Sequence, residues 1–337
     1  MRYPYKVWGF GEEIALHALL EYGDAAQVSE PGRFVEDLVG GWCRTGAPLT
    51  PADHVAPGAV VLALHERTGD ATYLAAAERL GDLYRTFEDV GGVPVHRRDL
   101  EKLAHLIWVD CLAIDGPFLV RLAHATGDDF WLRLAVRTVD AYVSALADPN
   151  TSLLRHGYDV EADRRSPCSW GRGNGWAMHG LVDTLEALPI EHPAREGFTG
   201  TLRQLVDALL PLQANDGRWH TILGDPDSPL ENSTAALFGS ALLKARRLGL
   251  LPDVDPRRVA VAGDRAVAAV ARALPADGGF VVSYATPVGE RDTYVNASLG
   301  TFPWGLGPLI LTYTELHRMH PGPGQAHDAH DPGGSPT

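Results

Sequence analysis

The stretch TGDATYL at residues 68–74 returns as TGDDFWL at residues 126–132, and this repeat decides the fold of the chain. Behind each copy, apolar side chains recur at steps of three and four residues, through Phe87 and through Leu146, as they do in an amphipathic helix. The glycine of each copy is typical of the end of one helix, and the aspartate after it is typical of the N-cap of the next. The repeat therefore predicts successive helices joined by tight turns.

Four short extended pieces separate the predicted helices at intervals of roughly 60 residues. They begin at Gly91, Leu153, Asp216 and Asp277. A unit of helix, loop and helix with this length fits five to six times into 337 residues, whereas open solenoids usually have shorter repeats. We therefore predict an all-α fold, an (α/α)6 barrel of six helical hairpins with the extended pieces at the barrel mouth. The sequence shows no βαβ alternation, so a parallel sheet is not expected.

The composition is that of a globular protein and excludes several classes of function. Hydrophobic residues make up 45% of the chain and charged residues 21%, which excludes a disordered chain. Three scattered cysteines are too few for a disulfide scaffold and form no C-x-x-C pair. A net charge of −14 repels phosphate backbones and anionic lipids, so we expect neither nucleic acid nor a membrane as a partner.

The two ends of the chain complete the domain prediction. The N-terminus lacks the apolar region of a signal peptide, and the longest unbroken apolar stretch, residues 59–64, is too short to span a membrane. We therefore expect a cytoplasmic protein with one catalytic barrel domain over residues 1–320. Residues 321–337 are rich in Pro, Gly, Asp and His without apolar periodicity, which predicts a disordered tail.

An apolar stretch around Asp110 supplies the first candidate catalytic group. Residues 106–114 read LIWVDCLAI, which predicts a helix buried on nearly every face with the aspartate in its middle. Burial generally raises the pKa of a carboxyl group, and a raised pKa suits a general acid near neutral pH. The structural alternative is an aspartate whose charge is satisfied by neighbouring backbone or by an arginine.

Two further aspartates flank apolar helices. Asp53 precedes Pro57 and the apolar stretch 59–64, so it suits either the N-cap of that helix or the second carboxylate of a pair with Asp110. Asp115 stands in an Asp-Gly-Pro sequence, which predicts the cap of a restarted helix with Pro117 in its first turn.

The stretch SWGRGNGW at residues 169–176 is the most unusual in the chain. Three glycines within five residues indicate that the backbone approaches another group closely. Trp170 and Trp176 suit stacking on a sugar ring, and Arg172 offers a fixed fork for a carboxylate. A tight glycine-rich turn with both tryptophans in the core is the structural alternative. The spacing matches no phosphate-binding loop.

Three histidines, His96, His156 and His220, occupy similar places in the extended pieces. Three such side chains suit a zinc site if the fold brings them together. The loops are far apart in sequence, and a role in lining the barrel mouth explains the recurrence equally well. We expect no bound metal and no cofactor.

Taken together, these motifs resemble the unsaturated rhamnogalacturonyl hydrolases of glycoside hydrolase family 105 and the related unsaturated glucuronyl hydrolases of family 88. The matching segments, in the family's order, are IWVD at 107–110, GPFL at 116–119, WGRGNGW at 170–176, DGRWH at 216–220 and LENS at 230–233. The resemblance runs from about Trp8 to Leu311. It implies an (α/α)6 barrel, in agreement with the repeat.

The resemblance also implies a chemistry and roles for residues. The family hydrates the C4=C5 double bond of the unsaturated uronic acid at the non-reducing end of oligosaccharides made by polysaccharide lyases, and so releases that sugar. Matching positions imply Asp110 as the general acid/base and Asp53 as the second active-site carboxylate. The side chains expected to bind the sugar are His96, His156, Trp170, Arg172, Trp176 and, from its place in an extended piece, His220.

Two other functions stay open at this point. An ordinary inverting glycosidase would use Asp53 and Asp110 as base and acid on opposite sides of the anomeric carbon. A non-catalytic barrel would bind a sugar without turning it over. The chain departs from the family pattern at Ala113, Ile114 and Asn232, and these departures bear on the leaving sugar.

Overall fold

The computed structural model describes residues 8–45, 54–87, 89–97 and 100–320. Within these ranges the chain forms twelve α-helices and nine short strands. The helices are α1 (Phe10–Ala26), α2 (Glu30–Arg44), α3 (Gly58–Thr68), α4 (Ala71–Arg85), α5 (Leu112–Thr126), α6 (Asp129–Leu146), α7 (Gly171–Ala187), α8 (Ala194–Leu209), α9 (Asn232–Arg247), α10 (Pro256–Ala273), α11 (Arg291–Val295) and α12 (Pro303–Met319). The strands are β1 (Asp89–Val90), β2 (Val93–Pro94), β3 (Leu106–Trp108), β4 (Gly157–Asp159), β5 (Arg164–Arg165), β6 (Trp219–His220), β7 (Leu230–Glu231), β8 (Val281–Ser283) and β9 (Leu299–Thr301). The predicted tail, residues 321–337, lies outside the described residues.

Six of the helices close into an inner ring. α1 packs on α3, α3 on α5, α5 on α7, α7 on α9 and α9 on α12, and α12 packs back on α1. Helices α2, α4, α6, α8 and α10 lie outside the ring, each against the inner helix that precedes it. Burial follows this arrangement, because α7 and α9 bury side chains on all faces whereas α10 buries a single stripe. The (α/α)6 barrel predicted from the repeat is confirmed.

The TGD repeat performs the predicted capping in both copies. The threonine ends an inner helix, and the glycine after it is left-handed, with φ of 67° in the first copy and 69° in the second. The aspartate is the N-cap of the next outer helix. Each aspartate carboxylate accepts a hydrogen bond of 2.8 Å from the backbone N–H two residues later, at Thr72 and at Phe130. The motif therefore reverses the chain from an inner to an outer helix.

The extended pieces form four small antiparallel sheets, whose strand orders are β1-β2, β3-β4-β5, β6-β7 and β8-β9. Strands β3, β5, β7 and β9 each lead toward the start of an inner helix. The first turns of those helices also meet at one end of the ring. Phe10 of α1 contacts both Trp176 of α7 and Trp304 of α12, and the carboxylate of Glu13 accepts the backbone N–H of Ala59 in α3. The helix N-termini and the small sheets therefore share one mouth of the barrel, as predicted.

One predicted element is wrong. Residues 106–114 do not form a single buried helix, since β3 ends at Trp108, a 3₁₀ turn covers Val109–Cys111, and α5 begins at Leu112. Antiparallel pairing with β4 stabilises the strand. An apolar run that is buried on all sides has the same pattern in a short strand as in a helix, so periodicity alone does not separate them.

The capping roles expected of two aspartates are also revised. Helix α5 runs without interruption through Asp115 and Pro117, so Asp115 caps no helix, and it is fully buried. The N-cap position of α3 is Pro57. Asp53 itself lies outside the described residues. None of the described helices combines the length and the apolar character that a membrane span requires.

Beneath the mouth, the space inside the ring narrows to a cavity of about 40 Å³. Its walls include Glu13, His17, Trp176, His179 and Asp183. A buried water needs roughly 10–15 Å³, so this cavity holds a few waters at most and no sugar. The mouth is therefore closed from below.

Buried ion pairs join the inner helices at the opposite end of the ring. Lys244 of α9 lies between Asp183 and Glu186 of α7, with 2.7 Å from Nζ to a carboxylate oxygen of each. Burial by itself raises the pKa of Asp183, but the ammonium group of Lys244 reverses the effect and holds that pKa well below its ordinary value. Two further pairs across the ring are Arg247–Glu315 and Arg318–Glu21.

We expect Lys244→Met to lower the free energy of unfolding by about 3 kcal/mol, because it leaves two carboxylates without their buried cation. Urea denaturation at neutral pH measures the loss. Arg203→Met is the matched control, since Arg203 and Asp253 are exposed and the median surface pair contributes only about 0–1 kcal/mol. Equal losses in the two variants would contradict a structural role for the Lys244 cluster.

Candidate active site

Asp110 lies at the mouth, in the 3₁₀ turn that carries the chain from β3 into α5. Its side chain is buried, with an exposed fraction of 3%. The pairing of β3 with β4 places His156 beside it, because the backbone N–H of Val109 donates to the carbonyl oxygen of His156 at 3.0 Å. The backbone of the same histidine is held from its other side by Cys168, whose carbonyl accepts its N–H at 3.2 Å.

Asp110 and His156 form the central pair of the site. Asp110 Oδ2 lies 3.3 Å from His156 Nε2, and the imidazole is fully buried. Neither atom meets the geometry of a hydrogen bond to any described residue, and this includes the contact between the two. The carboxylate and the imidazole are close enough to interact electrostatically, and both atoms stay open to a hydrogen bond from another group.

Tyr294 contacts the other ring nitrogen of this histidine. The tyrosine hydroxyl lies 2.8 Å from His156 Nδ1 and accepts the backbone N–H of Gly289 at 3.2 Å. A hydroxyl oxygen has two lone pairs, so the donor in the contact with Nδ1 depends on the tautomer of the imidazole. When the hydroxyl donates, the ring proton resides on Nε2, the nitrogen on the side of Asp110. Burial raises the pKa of Tyr294 well above its ordinary value, so the hydroxyl keeps its hydrogen.

A row of aromatic rings extends from this pair to both sides. His96 stacks on Trp108 with ring centroids 4.3 Å apart and planes inclined by 17°. Trp108 meets His156 edge-on at 5.5 Å, and His156 lies against Trp170 at 4.4 Å. The guanidinium carbon of Arg172 lies 4.5 Å from the centre of the Trp170 ring. The structure therefore brings His96, His156, Trp170 and Arg172 together around Asp110.

The fork of Arg172 is directed at protein groups. Nη1 donates to the carbonyl and hydroxyl oxygens of Ser283 at 2.9 and 3.0 Å, and Nη2 donates to the carbonyl of Tyr284 at 2.7 Å. Glu231 lies 3.9 Å away. Burial lowers the pKa of the guanidinium, and the carboxylate of Glu231 opposes that shift. Nε of Arg172 is the nitrogen with no hydrogen-bond partner among the described residues.

The glycines of SWGRGNGW allow close approach to protein rather than to a phosphate. A Cβ on Gly171 would lie 2.7 Å from the carbonyl oxygen of His220, and a Cβ on Gly173 would lie 2.7 Å from a methyl group of Val109. These contacts fix the first turn of α7 against β6 and against the Asp110 turn. Trp176 is also buried, with an exposed fraction of 1%, and packs edge-on against Phe10 as part of the floor of the mouth.

His220 is placed apart from the row of rings. It lies in β6, and its Nδ1 faces the carbonyl of Ser228. The zinc arrangement considered for His96, His156 and His220 is not formed: within the described residues, His96 alone of the three belongs to a group with metal-ligand spacing, and its partners there are His54 and Cys111.

Three functional or supporting residues were given no role in the sequence analysis, and a fourth, Asp115, was given the wrong one. Trp108 stood inside the quoted IWVD segment but was assigned no role, and Tyr294 lies in a stretch with no distinctive pattern. Glu231 accepts the backbone N–H of Ser283 at 2.8 Å and so aligns β8 with α9. Asp115 accepts hydrogen bonds from buried groups described below. Only Trp108 offered a usable signal, because it stands two residues before Asp110 in the sequence and so lies close to it.

The sequence matches known proteins over most of its length. A model of the family described as Glycosyl Hydrolase Family 88 matches residues 3–320. The unsaturated rhamnogalacturonyl hydrolase YesR of Bacillus subtilis is 30% identical over 246 residues, which are 72% of this chain and 72% of that protein. An unsaturated 3S-rhamnoglycuronyl hydrolase of an Alteromonas species is 25% identical over 214 residues, 62% of this chain and 50% of that protein.

The fold matches solved structures as well. A possible member of the GH105 family from Klebsiella pneumoniae superposes with a TM-score of 0.84 at 25% identity, covering 93% of this chain and 83% of that one. An unsaturated glucuronyl hydrolase from a Bacillus species superposes with a TM-score of 0.71 at 15% identity, covering 91% and 85%. At that identity the second likeness shows a shared fold alone.

We expect the imidazole of His156 to lose its single tautomer in Tyr294→Phe. The fold should persist, because only a hydroxyl group is removed. In ¹⁵N NMR spectra of the histidine rings, one ring held as the Nε2–H tautomer should become a mixture of tautomers. Tyr284→Phe is the control, since Tyr284 is half exposed and donates only its backbone carbonyl to the site. An unchanged ring signal in Tyr294→Phe would mean that another group sets the proton position.

Proposed function

The chain belongs to Glycosyl Hydrolase Family 88, and we propose that it hydrates the C4=C5 double bond of unsaturated uronyl residues with Asp110 as the single general acid/base. Its substrates are unsaturated uronyl oligosaccharides, with the unsaturated sugar at the non-reducing end. The relatives with named activities act on unsaturated rhamnogalacturonyl and 3S-rhamnoglycuronyl substrates. We therefore include rhamnose as the proposed leaving sugar.

The Asp110–His156 pair is the observation that carries the proposal. Nε2 of His156 lies 3.3 Å from Oδ2 of Asp110, and we assign the acidic proton to the other oxygen, Oδ1. That proton can be delivered to an electron-rich carbon when the sugar lies against the row of aromatic rings. His156 keeps its own proton throughout and acts as a positioning residue for the carboxyl group.

The reaction follows from the polarity of the double bond. Protonation of C4 by Asp110 leaves positive charge at C5 and at the ring oxygen. Water then attacks C5 and gives its proton to the Asp110 carboxylate, which restores the acid. The product is a hemiketal, which opens and lets the leaving sugar depart from C1 without direct attack there. Every proton that Asp110 loses is returned by the attacking water.

The charges around the mouth suit the carboxylate that an unsaturated uronic acid carries. The N-termini of inner helices converge here, and the N-terminal end of a helix has a partial positive charge. Arg172 adds a full positive charge beside Trp170. We propose that its unpartnered Nε and the helix ends attract the substrate carboxylate, while Trp170 and Trp108 stack on the sugar. His96, Trp176 and His220 complete the proposed sugar-binding set.

A two-carboxylate glycosidase is less well supported. Three other buried acids lie around the described mouth. Glu13 accepts the backbone N–H of Ala59 with one oxygen, whereas both oxygens of Asp115 and of Glu231 already accept hydrogen bonds from protein groups. Neither is therefore available to activate a water at an anomeric carbon. Asp53, which the resemblance implies as the second active-site carboxylate, keeps that role as part of the proposal, in binding the sugar rather than in proton transfer.

We expect turnover of unsaturated uronides with either anomeric configuration when the leaving group is small, and none of saturated uronides. Hydration at C5 leaves the configuration at C1 outside the chemical step, whereas a glycosidase requires one anomer. Digests made by lyases from rhamnogalacturonan, ulvan and glycosaminoglycan supply the substrates. In H₂¹⁸O the label should appear at C5 of the open-chain product. Label at C1, or comparable cleavage of a saturated uronide, would establish the glycosidase alternative instead.

We expect Asp110→Asn to fold normally and to lower kcat by about 10²–10⁴-fold, because the amide keeps the volume but cannot donate and regain a proton. Circular dichroism checks the fold and steady-state kinetics on an unsaturated disaccharide give kcat. Asp140→Asn, an exposed change on α6, is the control and should leave kcat unchanged. Wild-type kcat in a folded Asp110→Asn variant would remove Asp110 from the mechanism.

A further inference from the structure

We propose that His54, His96 and Cys111 form a binding site for a thiophilic divalent cation such as Zn²⁺, behind the proposed catalytic pair. The ligand atoms of the three side chains lie within 4.8 Å of one another, and all three side chains are buried. Cys111 Sγ and His96 Nδ1 are 3.4 Å apart. The chain brings these residues together from the loop before α3, from the end of β2 and from the turn before α5.

The spacing suits a tetrahedral ion. With Zn–N of about 2.0–2.1 Å and Zn–S of about 2.3 Å, two ligands of a tetrahedral site lie roughly 3.3–3.6 Å apart. The sulfur–nitrogen separation of 3.4 Å is already in this range. Two imidazoles and one thiolate form a donor set that selects zinc over magnesium or calcium, which prefer oxygen.

The surroundings of His54 resemble the support that a metal-binding histidine usually has. Its Nδ1 lies 2.8 Å from a carboxylate oxygen of Asp115, which is fully buried. The hydroxyl groups of Tyr84 and Tyr142 donate to the same carboxylate at 3.1 and 2.8 Å. A carboxylate that holds one ring nitrogen orients the other nitrogen and makes it a better ligand. Here the other nitrogen, Nε2, lies 3.4 Å from the carbonyl oxygen of Val95, and a bound ion would replace that contact.

An ion bound here would compete with the sugar, an effect that rests on the proposed function. His96 stacks on Trp108 at the mouth, and Cys111 directly follows Asp110 in the chain. Ligation of His96 removes one proposed sugar contact. We therefore expect the ion to slow turnover, whereas the chelator-treated enzyme stays fully active, since hydration by Asp110 uses no metal.

Cobalt spectroscopy tests the site without any measurement of activity. The full chain is treated with a chelator, freed of it, and titrated with Co²⁺ under reducing conditions. We expect one equivalent to produce visible tetrahedral cobalt bands together with a near-ultraviolet thiolate-to-cobalt band, and Zn²⁺ to abolish both. The thiolate band distinguishes this site from binding by histidines alone, which gives no thiolate-to-cobalt band.

Matched variants assign the ligands. Cys111→Ser should lose the thiolate band, while Cys43→Ser, which changes a buried cysteine of α2 away from the cluster, should retain it. His96→Ala provides a second test should Cys111→Ser not fold, and should also abolish tetrahedral binding. Asp115→Asn should weaken Co²⁺ binding by about 10–100-fold.

Three results would overturn the proposal. They are the absence of a thiolate band in the wild-type chain, the same band in folded Cys111→Ser, and the same cobalt affinity in His96→Ala as in the wild type. Failure of the hydration reaction would leave these spectra unchanged, so the metal site and the proposed function are tested separately.

Discussion

Closure of the inner ring is the constraint on which the rest of the molecule depends. Once α12 packs back on α1, all inner helices begin at the same end, and their first turns are forced together around one mouth. No helix fills the space at the mouth, so side chains must cover it. Large flat rings with polar atoms at their edges suit this position. The row of rings from His96 to Trp170 meets that requirement, and it surrounds the carboxyl group of Asp110 with apolar surface. The same residues therefore cover the mouth by packing and line the proposed active site.

Within the ring of inner helices, the pairing of two short strands places the candidate catalytic group. β3 and β4 are only three residues long, yet their register brings the turn at Val109 beside the backbone of His156. A slip of one residue would turn every side chain of the strand to the opposite face and separate Asp110 from its histidine. The hydroxyl of Tyr294 then contacts Nδ1 of that histidine. The candidate site is therefore assembled from a strand register and a side-chain hydrogen bond, both made by residues far apart in the sequence.

The parts of the fold that local patterns specify were predictable. The TGD copies define their own caps through φ and through the aspartate side chain, so no distant contact is needed to place those turns. Residues 106–114 were not predictable in the same way, because a strand edge supplied by β4 overrides a helical pattern. Asp115 was misassigned for a related reason, since its partner His54 is 61 positions away and the Asp-Gly-Pro sequence shows only a local signal. The direction of the Arg172 fork depends on β8, more than a hundred residues later.

Among the described residues, the narrow cavity beneath Trp176 closes the inner ring below the mouth. An oligosaccharide cannot pass through a space of this size, so in the proposed reaction the terminal sugar is the part that reaches the Asp110 carboxyl group. The released sugar must also leave by the way it came, and the shortened chain must withdraw before another end enters. Each binding event therefore removes one sugar residue, and accumulated product competes with substrate for the same barrel mouth. Degradation by such an enzyme proceeds at a pace set by the number of chain ends rather than by the mass of polymer.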